Sequence, residues 1–149
     1  MRLSKKADYA LMAVRHLALK SGPPSASARE IAEQYDIPIE LMAKVLQRLV
    51  RAGLLISTQG TRGGYTLSRP PVTISIADVI QAIDGPFTVT ACSSEKNDCE
   101  QFSKCSIRDP LWQIRERIAA TLGTVTIAEM AAESDAAQAP MAHAAVIRR

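Results

Sequence analysis

Apolar residues recur at helical spacing through the first third of the chain. From about Ser4 to Lys20, Leu11, Val14, Leu17 and Ala18 share one face, Ser4 can cap the start, and Ser21-Gly22-Pro23-Pro24 stops the run. A short second helix follows, with Ser27 as its cap and Glu30 three residues on, placed to return the bond as in a capping box; Ala28, Ile31 and Ala32 are its apolar contacts. The break Gln34-Tyr35-Asp36-Ile37 has the length of a helix-turn-helix turn, and Pro38 stands where a first helical turn tolerates it. The third helix, running to about Ala52, turns Met42, Val45, Leu46, Leu49 and Val50 inward and Glu40, Lys44, Gln47, Arg48 and Arg51 outward, and Gly53 ends it.

The period then changes. Leu54 to Thr58 and Tyr65 to Ser68 read as two short strands joined by Gln59-Gly60-Thr61-Arg62-Gly63-Gly64, whose glycines permit a tight hairpin. Helix, short helix, turn, helix and hairpin predict a winged helix-turn-helix over residues 1–70. Ser75 to Ile83 predicts a further short helix with Ile76, Val79, Ile80 and Ile83 on one face, closed by Asp84-Gly85-Pro86. Between Thr88 and Arg108 periodicity is lost, and all three cysteines lie there among small and polar residues. A long helix from Asp109 to about Leu122 aligns Leu111, Ile114, Ile118 and Leu122 in a stripe that one small lobe does not cover and a helix from a second subunit would. Thr126 to Ala132 predicts one last helical turn. The Ala-rich stretch 133–149 predicts a disordered tail. The fold class is mainly α with a small β-hairpin, divided into 1–70, a cysteine segment with a dimerisation helix over 71–132, and the tail.

Composition narrows the function classes. With 149 residues, 47% hydrophobic and 22% charged, the chain suits one compact domain or two small lobes around a shared core, and excludes a disordered polymer or a large multidomain enzyme. No run approaches the roughly 20 apolar residues of a membrane span, and Met1 to Lys6 is not followed by the apolar stretch of a signal peptide, so a soluble, cytoplasmic protein is expected. Aromatic residues, at 4%, are too few for a base-stacking platform. The net charge of +3 hides a division: residues 1–69 carry 11 Lys and Arg against 5 Asp and Glu, whereas 70–149 carry 7 against 10. The first half is the one suited to a polyanion, although cations also serve simply to keep a small domain soluble.

Two constellations carry chemistry. Lys44, Gln47, Arg48 and Arg51 on the third helix offer cations and an amide that can bond phosphate oxygens and major-groove base edges. At the hairpin tip Arg62 and Gly63 combine a guanidinium with a slim backbone, suited to a narrow minor groove or a flanking phosphate. The plainer alternative is a solvated basic face on a three-helix core. Cys92, Cys99 and Cys105 follow C-x6-C-x5-C, too few and too widely spaced for the usual structural zinc site but compatible with soft-metal ligation in an iron–sulfur cluster. Free cytosolic thiols without function fit that spacing equally well. No catalytic site is expected: His16 lies in the first helix and His143 in the tail, so no histidine lies near a serine or cysteine in sequence to act as base.

Several stretches together resemble the small dimeric winged-helix regulators of the IscR and NsrR type. They are Met1-Arg2-Leu3-Ser4 with Asp8-Tyr9-Ala10, Ile31-Ala32 with Asp36-Ile37, Leu46 to Leu54, Arg62-Gly63-Gly64-Tyr65, Ile76 to Asp84, and the three cysteines followed by Leu111-Trp112. The resemblance spans residues 1 to about 132. It implies a homodimer crossed through the long helix, two winged helix-turn-helix units on a palindromic double-stranded DNA operator, and an iron–sulfur cluster on Cys92, Cys99 and Cys105. It further implies a repressor that senses iron–sulfur status, redox stress or nitric oxide and controls genes such as those of cluster assembly. IscR-like members carry a histidine three residues after the last cysteine, where this chain has Arg108. NsrR-like members can use an aspartate from the first helix of the other subunit, and Asp8 occupies that place. Asp8 also suits the simpler role of a first-turn acid favoured by the helix dipole. A DNA-binding regulator with a thiol or disulfide switch and no cluster is the alternative.

Overall fold

The computed structural model describes residues 2–20, 26–89 and 99–136. Helix α1 (Lys5–Leu19) starts at Ser4, whose hydroxyl accepts from the Ala7 amide at 3.1 Å. Its inward face is built on Ala7, Ala10 and Ala13 as well as Val14 and Leu17, so neighbouring helices approach its backbone closely. Leu11, expected in the stripe, is only half-buried at its edge. Helix α2 (Ala28–Gln34) buries Ile31 and Ala32, with Ala28 partly covered. Ser27 caps it, accepting from Glu30 N–H at 3.1 Å. The reciprocal half of the expected capping box is replaced: the Glu30 carboxylate pairs with Lys20 at the end of α1.

After the turn, in which Asp36 takes a positive φ of 52°, helix α3 (Ile39–Arg51) buries Met42, Val45, Leu46 and Leu49, with Val50 at the margin. Strands β1 (Leu55–Thr58) and β2 (Gly64–Leu67) pair antiparallel, from Leu55 opposite Leu67 to Thr58 opposite Gly64. Ala26 extends this hairpin from the other side by exchanging both backbone hydrogen bonds with Tyr65, at 2.8 and 3.3 Å. The wing is thereby tied to the start of α2, a contact that one isolated residue did not signal in the sequence.

Helix α4 (Ile76–Asp84) begins in a full capping box between Ser75 and Asp78, and ends at Gly85, whose φ of 78° suits a residue without Cβ. Val79, Ile80 and Ile83 are buried, and Val79 and Ile83 join the same hydrophobic cluster as α1, α2 and α3. Helix α5 (Arg108–Thr124) has no buried residue. Of its predicted stripe, Leu111, Ile118 and Leu122 are half-buried and Ile114 is 45% exposed; Trp112 beside it is 47% exposed. Helix α6 (Ile127–Ala136) is longer than the single turn expected and runs into the stretch read as disordered; residues 137–149 lie outside the described residues. A second capping box explains its start, since Glu129 N–H donates to Thr126 Oγ1 and the Glu129 carboxylate accepts from Thr126 N–H. Backbone bonds from Ile76 to Val125 and from Ile127 to Ile74 bring α6 back onto α1, with Ile127 fully buried.

Candidate nucleic-acid interface and cysteine segment

Opposite the buried stripe of α3, Lys44, Gln47, Arg48 and Arg51 all face solvent, as the spacing predicts. With Lys6, Leu41, Ala43, Val45 and Ile83 they line a cleft of about 550 Å³. None of Lys6, Lys44, Arg48, Arg51 and Arg62 has an ion-pair partner among the described residues, whereas Lys5, Lys20, Arg29, Arg69, Arg108 and Arg115 each pair with a carboxylate. These exposed, unpaired cations give the α3 face and the cleft a local positive potential of the kind that attracts a polyanion.

Gln47 is not a free amide. Its Nε2 donates to Tyr65 Oη at 2.8 Å, so α3 is bonded to the wing. Tyr65, known from the sequence as a strand residue and as part of the stretch Arg62-Gly63-Gly64-Tyr65, thus holds a functional candidate in place, and no local pattern marks that contact. Arg62 is exposed at the hairpin tip. Gly63 is required there by packing: a Cβ would lie 2.3 Å from the Thr58 carbonyl oxygen and 2.9 Å from both the Gln59 carbonyl carbon and the Gly60 carbonyl oxygen. The wing closes over this residue, and any side chain would open it.

Asp8 stands in the first turn of α1, partly exposed, with Lys5 at 4.0 Å. Cys92 lies outside the described residues. Cys99 and Cys105 are free thiols of intermediate exposure, on either side of a 3-10 turn at Phe102–Lys104. Among the described residues no three metal-ligating side chains converge. Arg108 is occupied: it donates to Asp109 at 3.0 Å and to the Phe102 carbonyl at 3.1 Å, and stacks over the Phe102 ring at 4.5 Å, so it braces the turn after Cys99 instead of acting as a ligand. Arg115 Nε donates to the Phe87 carbonyl at 2.8 Å, fastening the exit of α4 to α5.

Among the described residues, the titratable groups with displaced pKa values are His16 on α1 and Glu30 on α2. Partial burial depresses the His16 pKa below 6.5, only partly offset by Glu30 at 4.0 Å, and its Nδ1 lies 3.0 Å from Tyr35 Oη. The hydrogen bond and charge of Lys20 lower the Glu30 pKa. These contacts join α1 to α2 and lie outside the cleft. No described helix is long and apolar enough to cross a membrane.

Known proteins give this geometry a context. Residues 3–133 match the Rrf2 family, described as iron-dependent transcriptional regulators. The HTH-type transcriptional regulator IscR of Vibrio vulnificus is 32% identical over 136 residues, covering 91% of this chain and 80% of that one. Among solved structures, CymR, the global cysteine regulator of B. subtilis, superposes with a TM-score of 0.74 at 27% identity, covering 89% of this chain and 98% of its own. IscR of T. potens gives 0.72 at 26% identity, covering 93% and 91%. Both the winged helix-turn-helix and the sequence therefore place this chain in the Rrf2 family of transcriptional regulators.

Proposed function

We propose that the protein is a repressor that binds operator DNA as a homodimer, with an affinity set by an iron–sulfur cluster held in the cysteine segment. The observation that carries the DNA half is the set of unpaired cations on α3 and the wing: Lys44, Arg48 and Arg51 for the major groove and its phosphates, and Arg62 with Gly63 for the adjoining minor groove. Gln47 reads or positions from its anchored place on Tyr65. The uncovered stripe of α5, with Ile114 and Trp112 exposed, supports a partner helix from a second copy, and two such copies suit a palindromic operator.

Cys99 and Cys105 fit a cluster by donor chemistry: both are free, partly exposed and held in a polar segment that does not need them for packing. With Cys92 they would supply three thiolates, and the partner subunit's Asp8 the fourth ligand. When bound, the cluster supplies a centre whose gain, loss or damage reports iron supply, oxidants or nitric oxide. The rest belongs to the chain: Arg108 braces the turn that carries the thiols, and Arg115 ties the segment's entry to α5. Iron–sulfur assembly genes are the targets this reading favours.

Iron and acid-labile sulfide, measured with a visible spectrum on protein purified without oxygen, test it. Iron and sulfide near stoichiometric with the chain, lost in Cys92→Ala, Cys99→Ala or Cys105→Ala, are expected; a colourless protein that resists reconstitution would overturn the cluster. A second reading has its own support, since free thiols at Cys99 and Cys105 and the fold shared with CymR suit a thiol or disulfide switch equally. Loss of titratable thiols on mild oxidation, together with iron-free protein, would establish it.

A further inference from the structure

The cleft beside α3 has a wall that does not come from the helix-turn-helix. Lys6, on the first turn of α1, and Ile83, on the last turn of α4, face Leu41, Lys44, Arg48 and Arg51 across it. The two outer elements are clasped together: Asp84 accepts from the backbone N–H of Ser4 at 3.2 Å and from its hydroxyl, while that same hydroxyl caps α1. Asp84 therefore fixes the residue at which α1 starts, and with it the position of Lys6 two residues on. Among the described residues no acidic side chain lines the cleft, and Lys6, Lys44, Arg48 and Arg51 have no carboxylate partner. Leu41, Val45 and Ile83 form an apolar floor beneath these solvent-exposed cations, and the opening runs along the outward side of α3.

We infer that this cleft seats a phosphate of the DNA backbone, with Lys6 as a contact residue supplied from outside the helix-turn-helix and the Ser4–Asp84 clasp as its positioning pair. The inference rests on the DNA-binding reading above. A contact of this kind adds affinity and fixes the angle at which α3 enters the groove, without reading sequence. The chain then grips the duplex at three places: α3, the wing and the first turn of α1. It also joins the end of α4, and so the segment that leads to the cysteines, to the grip on DNA.

The salt dependence of binding tests this on the whole chain with a fluorescent mixed-sequence duplex, because a phosphate contact needs no operator. Each phosphate contact steepens the plot of log affinity against log salt by about 0.9. Lys6→Ala should lower the slope by about 0.9 for each protomer bound, so that the fall in affinity from about 50 to 200 mM salt is roughly 3.5-fold smaller for one contact and about 12-fold smaller for the two of a dimer, and Lys6→Arg should restore it. Arg117→Ala, a cation of α5 outside the cleft, should leave the slope unchanged. Asp84→Ala should lower the slope as Lys6→Ala does, with no further change in the double variant; a lower melting temperature with the wild-type slope would remove Asp84 from its positioning role. A wild-type slope for Lys6→Ala overturns the inference. Wild-type protein that shows no salt-dependent binding at all would instead overturn the DNA-binding reading itself.

Discussion

Replacing Gly63 by alanine should damage both the fold and the grip on DNA, by an amount the hairpin geometry sets. The added Cβ would stand 2.3 Å from the Thr58 carbonyl oxygen and 2.9 Å from two further backbone atoms of the same turn. Ordinary contact begins near 3.4 Å, so the Thr58 side of the turn must retreat by about 1 Å. All three atoms are backbone, so no side-chain rotation relieves the overlap. Retreat disturbs the last rung of the hairpin, Thr58 opposite Gly64, and the turn bond from Gly63 N–H to the Gly60 carbonyl at 3.0 Å. Overpacking of this kind costs about 1–3 kcal/mol, and a weakened hydrogen bond about 1 kcal/mol more. Because the turn is exposed and can fray locally, about 2 kcal/mol is the expected net loss, or roughly 4–8 °C in melting temperature for a chain of this size. Arg62, the neighbouring residue, moves with the turn, so duplex affinity should fall alongside. Melting followed by circular dichroism and duplex binding by anisotropy read the two effects. A Gly63→Ala protein with wild-type melting and wild-type affinity would refute the packing on which the wing is built.

Gly123 offers the opposite sign: it lies in α5 with open space around it, and Gly123→Ala should raise stability by about 0.8 kcal/mol, seen as a higher denaturant midpoint. Tyr65→Phe removes the acceptor for Gln47 and should cost about 1 kcal/mol; in a double-mutant cycle on duplex binding, Gln47→Ala should add little to Tyr65→Phe, whereas full additivity would show that the bond does not position the amide. His16 and Glu30 both have lowered folded-state pKa values, so the unfolded chain binds protons more readily and stability falls on acidification. The histidine contribution is present above 6.5 and is lost as the pH falls below that value, and that of Glu30 likewise below 4.5. Urea midpoints between about pH 8 and 5 should decline, and His16→Gln should flatten the upper part of that decline. Arg48→Ala or Arg62→Ala should weaken duplex binding without altering melting, and unchanged affinity would remove either residue from the interface.

Much of the architecture was legible because strong signals agreed. Ser4 and Ser27 cap the helices they were expected to cap, and the outward set on α3 follows directly from its apolar stripe. The misreadings share a cause, in that local pattern does not reveal tertiary reach. Ala7, Ala10 and Ala13 carry the packed face of α1, yet alanine favours a helix on any face and marks none as buried. Glu30 satisfies the local capping pattern, but the end of α1 brings Lys20 within its reach and takes the carboxylate. The segment from Thr126 to Ala132 was expected to make one helical turn and the Ala-rich stretch after it none, whereas Ile127 finds a buried seat, the Thr126–Glu129 box starts the helix, and it runs on to Ala136. At the candidate site, the spacing that exposed Gln47 could not show Tyr65 beside it, because they meet only when the hairpin folds over α3. Lys6 was hidden for the same reason, separated from α3 by more than 30 residues and joined to it by the packing of α1 and α4.

The proposal that the cysteine segment controls DNA binding is tested most directly by one comparison. Protein purified without oxygen is divided, one portion is stripped of iron, and both are titrated with genomic fragments enriched on the iron-loaded and the stripped protein. The account predicts a spectrum with a charge-transfer band in the loaded portion and a clear difference in affinity between the two for at least one enriched fragment, abolished in Cys99→Ala and Cys105→Ala. Equal affinity of loaded and stripped protein for every enriched fragment would contradict it.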